Sequence, residues 1–129
     1  MLQTVSKLPQ KLNNQIQVFH RPVEFYELIK QSDLVITAGG LFAFECLMHG
    51  MPGIGLPQYP HQLETLQKLS DLESLVLGSV GMSLQHDYFC ETLEMVLNSY
   101  ERRQVLSNNG LALIDSQGLS RIMRKIQTL

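Results

Sequence analysis

Residues 32–57, SDLVITAGGLFAFECLMHGMPGIGLP, decide the fold of this 129-residue chain. A continuous apolar run at Leu34–Ala38 is followed by Gly39-Gly40 and then by the apolar helical segment Leu41–His49. A second short apolar run occupies Pro52–Pro57. Unbroken apolar runs of this length are typical of strands covered on both faces, as in parallel sheets. The stretch therefore predicts a strand, a tight turn, a helix and a second parallel strand.

The segments on either side continue this alternation, which is typical of α/β proteins with a parallel sheet. Further strands are predicted at Ile16–His20 and Leu75–Gly78. Leu2–Leu12 is predicted to be a helix or the tail of one. Further helices are predicted from Pro22 through Ile29 and at His61–Leu72, Asp87–Ser107 and Gly118–Thr128. We expect one domain over residues 1–129, with a Rossmann-like three-layer architecture and helices on both faces of the sheet.

Composition and charge exclude several classes of function. Ten Lys and Arg against 12 Asp and Glu give a net charge of −2, whereas nucleic-acid binders usually carry a basic excess. Cys46 and Cys90 lie far apart without a CxxC pair, which favours two reduced thiols over a disulfide or zinc site. His49 and His86 lie at the ends of predicted elements without the spacing of metal ligands, so we expect no metal. Without a signal peptide or a long apolar run, we expect a cytoplasmic protein.

Gly39-Gly40 is the clearest candidate binding element. In open parallel sheets, ligands bind beyond the carboxyl ends of the strands, which is where this turn lies. Two glycines let a ligand approach the backbone, and the free N–H groups of the following helix favour an anion such as phosphate. The alternative is a tight turn that binds nothing. Neither GxGxxG nor a Walker A motif is present, which disfavours an ordinary NAD or ATP site.

Glu45 is the second candidate, because it is a carboxylate in an otherwise apolar helix. Burying such a group costs free energy unless it has a partner. A side chain here leans back toward the helix N-terminus, where a ribose diol could donate two hydrogen bonds to it. The alternatives are a pair with Lys or Arg, or a position at the wet edge of the helix.

Taken together, these motifs resemble the C-terminal domain of GT-B nucleotide-sugar enzymes. The segment Ser32–Gly40, an acidic residue five positions later, and Gly50–Pro57 match that family's "ADLxIxAGG" and "GxPxIxxP" patterns. Leu113–Ile122 resembles its terminal "xxDGxGxxRI". The resemblance covers Ile16 to the C-terminus. It is greatest to the UDP-sugar hydrolases of pseudaminic acid synthesis and their spore-coat polysaccharide relatives, and weaker to the GlcNAc transferase that forms lipid II.

The resemblance implies a UDP-sugar site, with the UDP-sugar as substrate. We expect no other cofactor. It implies that Gly39 and Gly40 would present backbone amides to the diphosphate, with Ala38 and Leu41 beside them in the nucleotide site, and that Glu45 would hold the ribose. The backbone of Arg21–Val23 would edge the uracil, and Gln62 would face the sugar or phosphate. His61 stands where the family often has Asn, and it could assist phosphate binding or proton transfer; the alternative is a plain polar loop residue.

Two departures from the family pattern weaken this transfer of roles. Leu41-Phe42 replaces the Ser or Thr that commonly follows the two glycines, so no hydroxyl is offered to the phosphates. The loop Gln58–His61 is also unusual, and contacts to the donor sugar cannot be transferred.

His20 could touch a nucleotide, although a partly buried strand histidine is the simpler interpretation.

The resemblance also implies that much of an enzyme is missing from this sequence. A GT-B enzyme has two domains, and the other one usually supplies the acceptor site and the general base. The strand that normally begins this domain, and that would lie beside Leu34–Ala38, has no counterpart in Met1–Asn14. We therefore expect a fragment of a two-domain protein that lacks its N-terminal acceptor domain, or a chain that rearranges, forms a homodimer or recruits a partner chain to complete its sheet.

Three functions remain open from the sequence. The chain is the UDP-sugar-binding half of a glycosyltransferase for cell-surface polysaccharide or glycoconjugate synthesis, the same half of a UDP-sugar hydrolase, or a non-catalytic interaction module. We expect no turnover by the isolated chain, because no base–nucleophile pair is recognisable. A basic excess of three from Tyr100 onward could favour a peripheral position on an anionic inner membrane surface, or a lipid-linked acceptor. The alternative is a solvated helical face.

Overall fold

The protein is described by a computed structural model that covers residues 15–20 and 25–129. The predicted helix at Leu2–Leu12 and the predicted helix start at Pro22 lie outside these residues. The described elements are α1 (Phe25–Lys30), β1 (Val35–Thr37), α2 (Leu41–Met48), β2 (Gly53–Gly55), α3 (Pro60–Asp71), β3 (Val76–Leu77), α4 (His86–Asn98), α5 (Tyr100–Leu113) and α6 (Gly118–Gln127).

The described strands form a parallel sheet in the order β1-β2-β3, flanked by helices. Thr37 lies opposite Gly55, and Gly55 lies opposite Leu77. The Leu56 N–H donates to the Thr37 carbonyl at 2.8 Å, and the Gly78 N–H donates to the Gly55 carbonyl at 2.9 Å. The α/β class with a parallel sheet and the predicted Rossmann-like arrangement are therefore confirmed.

Helices cover both faces of this sheet. On one face, Leu47 of α2 and Leu66 and Leu69 of α3 pack with Leu75 and Leu77. On the other face, Ile54 packs against Val96 of α4 and Leu106 of α5, and all three are fully buried. A smaller cluster joins Ile29 of α1 to Cys46 and Met51. Alternate residues of β2 and β3 thus point to opposite faces, as in any strand.

Cys46 is part of that smaller cluster and behaves as a small buried hydrophobe. Its side chain is 2% exposed. Burial, reinforced by the neighbouring Glu45 carboxylate, raises the pKa of the thiol to about 11. Cys90 is also a free thiol and is half-buried.

The predicted strand Ile16–His20 is wrong: the structure has no strand there, and these residues are exposed. A strand forms only where its backbone N–H and C=O groups bond to a neighbouring strand. None of the described strands β1, β2 and β3 pairs with residues 16–20.

The prediction that the apolar strand at Leu34–Ala38 is covered on both faces is also wrong at one position. The strand itself is confirmed, but Ile36 is 48% exposed. Among the described residues, β1 has a neighbouring strand on one side only. Its central side chain therefore lacks the neighbours that bury Ile54 in β2.

The single helix predicted over Asp87–Ser107 is two helices, α4 and α5, separated at Ser99. Ser99 has an extended backbone, and its hydroxyl accepts a hydrogen bond from the Arg102 N–H at 3.1 Å. The Arg103 guanidinium donates to the carbonyls of Val96 and Leu97 near the end of α4. Serine is a strong N-cap, and together these bonds satisfy backbone groups that a helix break leaves unpaired.

Candidate functional site at the carboxyl ends of the strands

The candidate site lies where the three parallel strands end. Because the strands are parallel, the loops that follow them meet at one edge of the sheet. These loops are Ala38–Gly40 after β1, Leu56–Tyr59 after β2, and Gly78–Gln85 after β3. The third of these was not singled out in the sequence; the loop expected from Ile16–His20 does not follow a described strand.

Gly39 makes the turn from β1 into α2 and has a structural role. Its φ is +84°, a conformation that L side chains rarely adopt. It is buried beneath Leu66, and a Cβ at Gly39 would lie 2.7 Å from the Leu66 Cγ. A Cβ at Gly55 would lie 2.6 Å from the Leu66 Cδ2. Leu66 thus packs α3 onto the ends of β1 and β2, and both contacts depend on the absence of a side chain.

Gly40 differs from Gly39, since it is exposed and a Cβ there would meet nothing within 4 Å. It is the N-cap of α2, with an extended backbone and no side-chain cap. Its carbonyl accepts from the Ala43 N–H at 3.0 Å, the first bond of the helix. The N–H groups of Leu41 and Phe42 have no acceptor among the described residues. The N-terminus of α2 is therefore open, with donors available to an anion.

Glu45 lies one turn further along α2, on the same face as Leu41. Residues four apart on a helix are neighbours, and Leu41 is 82% exposed. Glu45 is half-buried, whereas Ala43, Cys46 and Leu47 turn into the core. No described residue forms an ion pair or a hydrogen bond with its carboxylate. An ion pair of Glu45 with Lys or Arg, the alternative given by the sequence, is thus not seen among the described residues.

His61 and Gln62 lie in the first turn of α3, which follows the loop after β2. The Gln62 Oε1 accepts from the Gln58 N–H at 2.9 Å, which closes the loop after β2. Gln62 precedes Leu66 by four residues, so it lies on the face of α3 that packs toward Gly39. Its side-chain amide group remains available as a donor. His61 is exposed.

Tyr59 is a residue that the sequence reasoning missed. Its ring stacks on that of His61, with centroids 5.8 Å apart and planes within 8° of parallel. Tyr59 is 57% exposed. An aromatic residue in a loop after a parallel strand is a signal that could have identified it, because exposed rings stack on flat ligands.

Several predicted residues are not brought to this edge by the described structure. Arg21, Pro22 and Val23 lie outside the described residues, so their proposed role at the uracil stays a prediction. His20 is exposed rather than partly buried in a strand. His49 lies at the other end of α2, where its ring is 5.7 Å from that of Tyr26.

Three further features of the described residues concern a possible metal site, a second depression and a possible membrane-spanning helix. No group of three His, Cys, Asp or Glu in residues 15–20 and 25–129 could hold a metal ion. A depression of about 240 Å³ lies at the amino ends of β1 and β2, lined by Asp33, Pro52 and Arg103 among others. That depression is on the opposite side from Gly40. None of the helices in the described part of the chain could cross a membrane.

The chain is similar to a polysaccharide biosynthesis protein. It is 28% identical over 102 residues to the spore coat polysaccharide biosynthesis protein SpsG of Bacillus subtilis (strain 168). The match covers 79% of this chain but only 30% of SpsG, so the chain spans less than a third of that relative. No family model matches the sequence. No solved structure matches it significantly.

The two glycines of the turn are expected to respond differently to substitution. Gly39→Ala should lower the free energy of unfolding by about 1–3 kcal/mol, because it combines a positive φ with overpacking against Leu66. Gly40→Ser should leave stability unchanged or raise it by a few tenths of a kcal/mol, because serine is a better N-cap than glycine. Urea unfolding followed by circular dichroism measures both, and equal losses would contradict the assigned geometry.

Proposed function

We propose that this chain binds a UDP-sugar and is the donor-nucleotide half of a GT-B glycosyltransferase in cell-surface polysaccharide or glycoconjugate synthesis. The observation that carries the proposal is the open N-terminus of α2 at Gly40, at the edge where parallel sheets bind their ligands. The similarity to SpsG, which is named for polysaccharide biosynthesis, supports a role in polysaccharide synthesis.

The diphosphate is proposed to bind at Gly40. Its N–H and those of Leu41 and Phe42 are donors at the positive end of the helix dipole, where negative charge is favoured. The open space over Gly40 lets phosphate oxygens approach the backbone. Ala38 and Gly39 lie beneath the proposed phosphate position, and the contact between Gly39 and Leu66 holds this part of the turn in place.

Glu45 is proposed to hold the ribose. Its carboxylate lies one turn beyond Gly40 on the partly exposed face of α2, and it has no partner among the described residues. Two adjacent ribose hydroxyls can donate to its two oxygens. Hydrogen bonds to a charged group are stronger than those between neutral groups, so this contact should contribute measurably to affinity.

The loop after β2 is proposed to contact the sugar. Tyr59 and His61 present stacked, exposed rings, and aromatic faces pack well against the apolar faces of sugars and bases. The Gln62 amide can donate to a sugar hydroxyl or a phosphate while its oxygen holds the loop through Gln58. Arg21–Val23 would contact the uracil, as the resemblance implies.

A UDP-sugar hydrolase would use the same half, with water in place of the acceptor. Both reactions break the bond between the anomeric carbon and UDP, and both draw the base from the other half of the enzyme. We therefore propose that the isolated chain binds UDP without turning over a UDP-sugar. A non-catalytic interaction module is the second candidate, and the observation favouring it is Leu41, an 82% exposed apolar side chain at the first position of α2.

We further propose that a strand from outside the described residues completes the sheet beside β1. Parallel strands are normally covered on both faces and paired on both edges. Ile36 is instead 48% exposed, and the described residues pair β1 on one side only. The added strand would come from an N-terminal acceptor half, a partner chain or a second copy of this chain.

Titration calorimetry with UDP tests the nucleotide site. Glu45→Gln should weaken binding at least tenfold, since hydrogen bonds to a charged group are worth about 1.5–3 kcal/mol. Glu64→Gln is the matched control, because Glu64 pairs with Lys68 on the exposed surface of α3. Equal losses in the two variants would contradict the role of Glu45. A folded chain without UDP affinity would favour the interaction module.

Light scattering on the isolated chain tests the completion of the sheet. A dimer should dissociate when Ile36→Lys places a charge on the open strand, whereas Leu72→Lys, an equally exposed control on another surface, should leave it intact. A monomer at all concentrations that also unfolds cooperatively would contradict the proposal, because such a chain needs no added strand.

A further inference from the structure

The last helix, α6, packs against none of the described core. None of its residues is buried. Four apolar side chains lie along one face at spacings of three and four, and each is between 49% and 72% exposed: Leu119, Ile122, Met123 and Ile126. A ten-residue helix is marginal in water without a surface to pack on. We therefore expect the apolar face of α6 to pack against a surface that lies outside the described structure.

The charges of α6 indicate the kind of surface. The helix carries Arg121, Arg124 and Lys125 and no acidic residue. Arg121 is paired with Asp115 through two bonds, at 2.6 and 2.9 Å, and this pair lowers the pKa of Asp115 to about 2. Arg124 and Lys125 form no ion pair with any described residue. Two cations thus remain available to an external anion.

The cations lie on the polar side of α6, away from its apolar face. Arg121, Arg124, Lys125 and Thr128 line one shallow depression of about 430 Å³, as expected for residues at spacings of three, four and seven. An apolar stripe opposite a basic face is the pattern of helices that lie in the plane of a membrane interface. There the apolar face enters the acyl boundary while the basic side chains reach lipid phosphates.

We propose that α6 is an interfacial helix that binds the surface of an anionic lipid bilayer. A second copy of this chain, packing its own α6 against this apolar face, is a less suitable partner. A ten-residue helix is only about 15 Å long, and a pair of such faces buries less than the roughly 1,200 Å² of a stable interface. A bilayer needs no shape-complementary partner, and its anionic headgroups match the unpaired charges of Arg124 and Lys125. This inference does not depend on the UDP site.

Vesicle sedimentation of the full chain tests the proposal. The chain should bind vesicles of phosphatidylcholine mixed with phosphatidylglycerol and should bind phosphatidylcholine alone much more weakly. Arg124→Gln with Lys125→Gln should weaken binding about 25-fold, about fivefold for each cation near an anionic surface. Added salt should reduce the binding of the parent chain more than that of this variant.

The apolar face has its own variant and control. Ile122→Asn with Ile126→Asn should reduce vesicle binding at least tenfold, because the apolar contact with the acyl boundary is lost. Leu72→Asn with Leu84→Asn changes two equally exposed leucines elsewhere and should leave binding unchanged. Circular dichroism verifies that each variant is folded.

Three results would overturn the proposal. Absence of binding to anionic vesicles by the folded parent chain would exclude the lipid surface. Equal losses in the two asparagine variants would show that α6 is not the contact. If the parent chain does not bind vesicles, and light scattering shows a dimer that Ile122→Asn with Ile126→Asn dissociates, the apolar face binds a second copy of the chain instead.

Discussion

The packing of Leu66 onto Gly39 and Gly55 is the contact on which the candidate site depends. Leu66 is fully buried, and its methyl groups occupy the space that a Cβ on either glycine would need. This contact fixes α3 across the ends of β1 and β2. Gly39 also has a positive φ, which turns the chain sharply from β1 into α2. The position of the open N-terminus of α2 therefore depends on the turn at Gly39 and on the packing of Leu66 against it.

Two neighbouring glycines consequently have different roles. Gly39 is required by the core, whereas Gly40 has open space above it and contributes only backbone. A tight turn that binds nothing would not need this second glycine, because its extended backbone suits any residue. An uncapped helix N-terminus beside an open glycine is instead suited to a phosphate. The half-buried carboxylate of Glu45, one turn away on the partly exposed face, supports the same interpretation.

The sequence predicted the part of the fold that local pattern controls. Apolar runs bounded by glycine located β1, β2 and β3, and helical spacing located α2 and α3 within one or two residues. What it missed depends on contacts distant in sequence. The apolar run at Ile16–His20 has strand propensity but no described strand to pair with. Ile36 is exposed because β1 has a described neighbour on one side only. The break at Ser99 depends on Arg103 reaching back to α4, which no local pattern reveals.

The candidate site was predictable to a similar extent. Gly39, Gly40, Glu45 and Gln62 follow strands that are adjacent in the structure, so the rule for parallel sheets placed them at one edge. The loop after β3 was missed, because nothing in its local sequence marks its nearness to the turn. Tyr59 was missed although an aromatic residue in a loop after a parallel strand is a signal for a binding residue. The similarity to SpsG covers 79% of this chain and less than a third of SpsG itself.

Backbone amide chemical shifts during a UDP titration of the isotopically labelled chain locate the bound nucleotide. The amides of Gly40, Leu41 and Phe42 should show the largest shifts, and those of Gln58–His61 across the edge should show smaller ones. Shifts confined to Asp33, Gly50 and the depression at the amino ends of the strands would contradict the proposed site, as would a folded chain in which no amide responds.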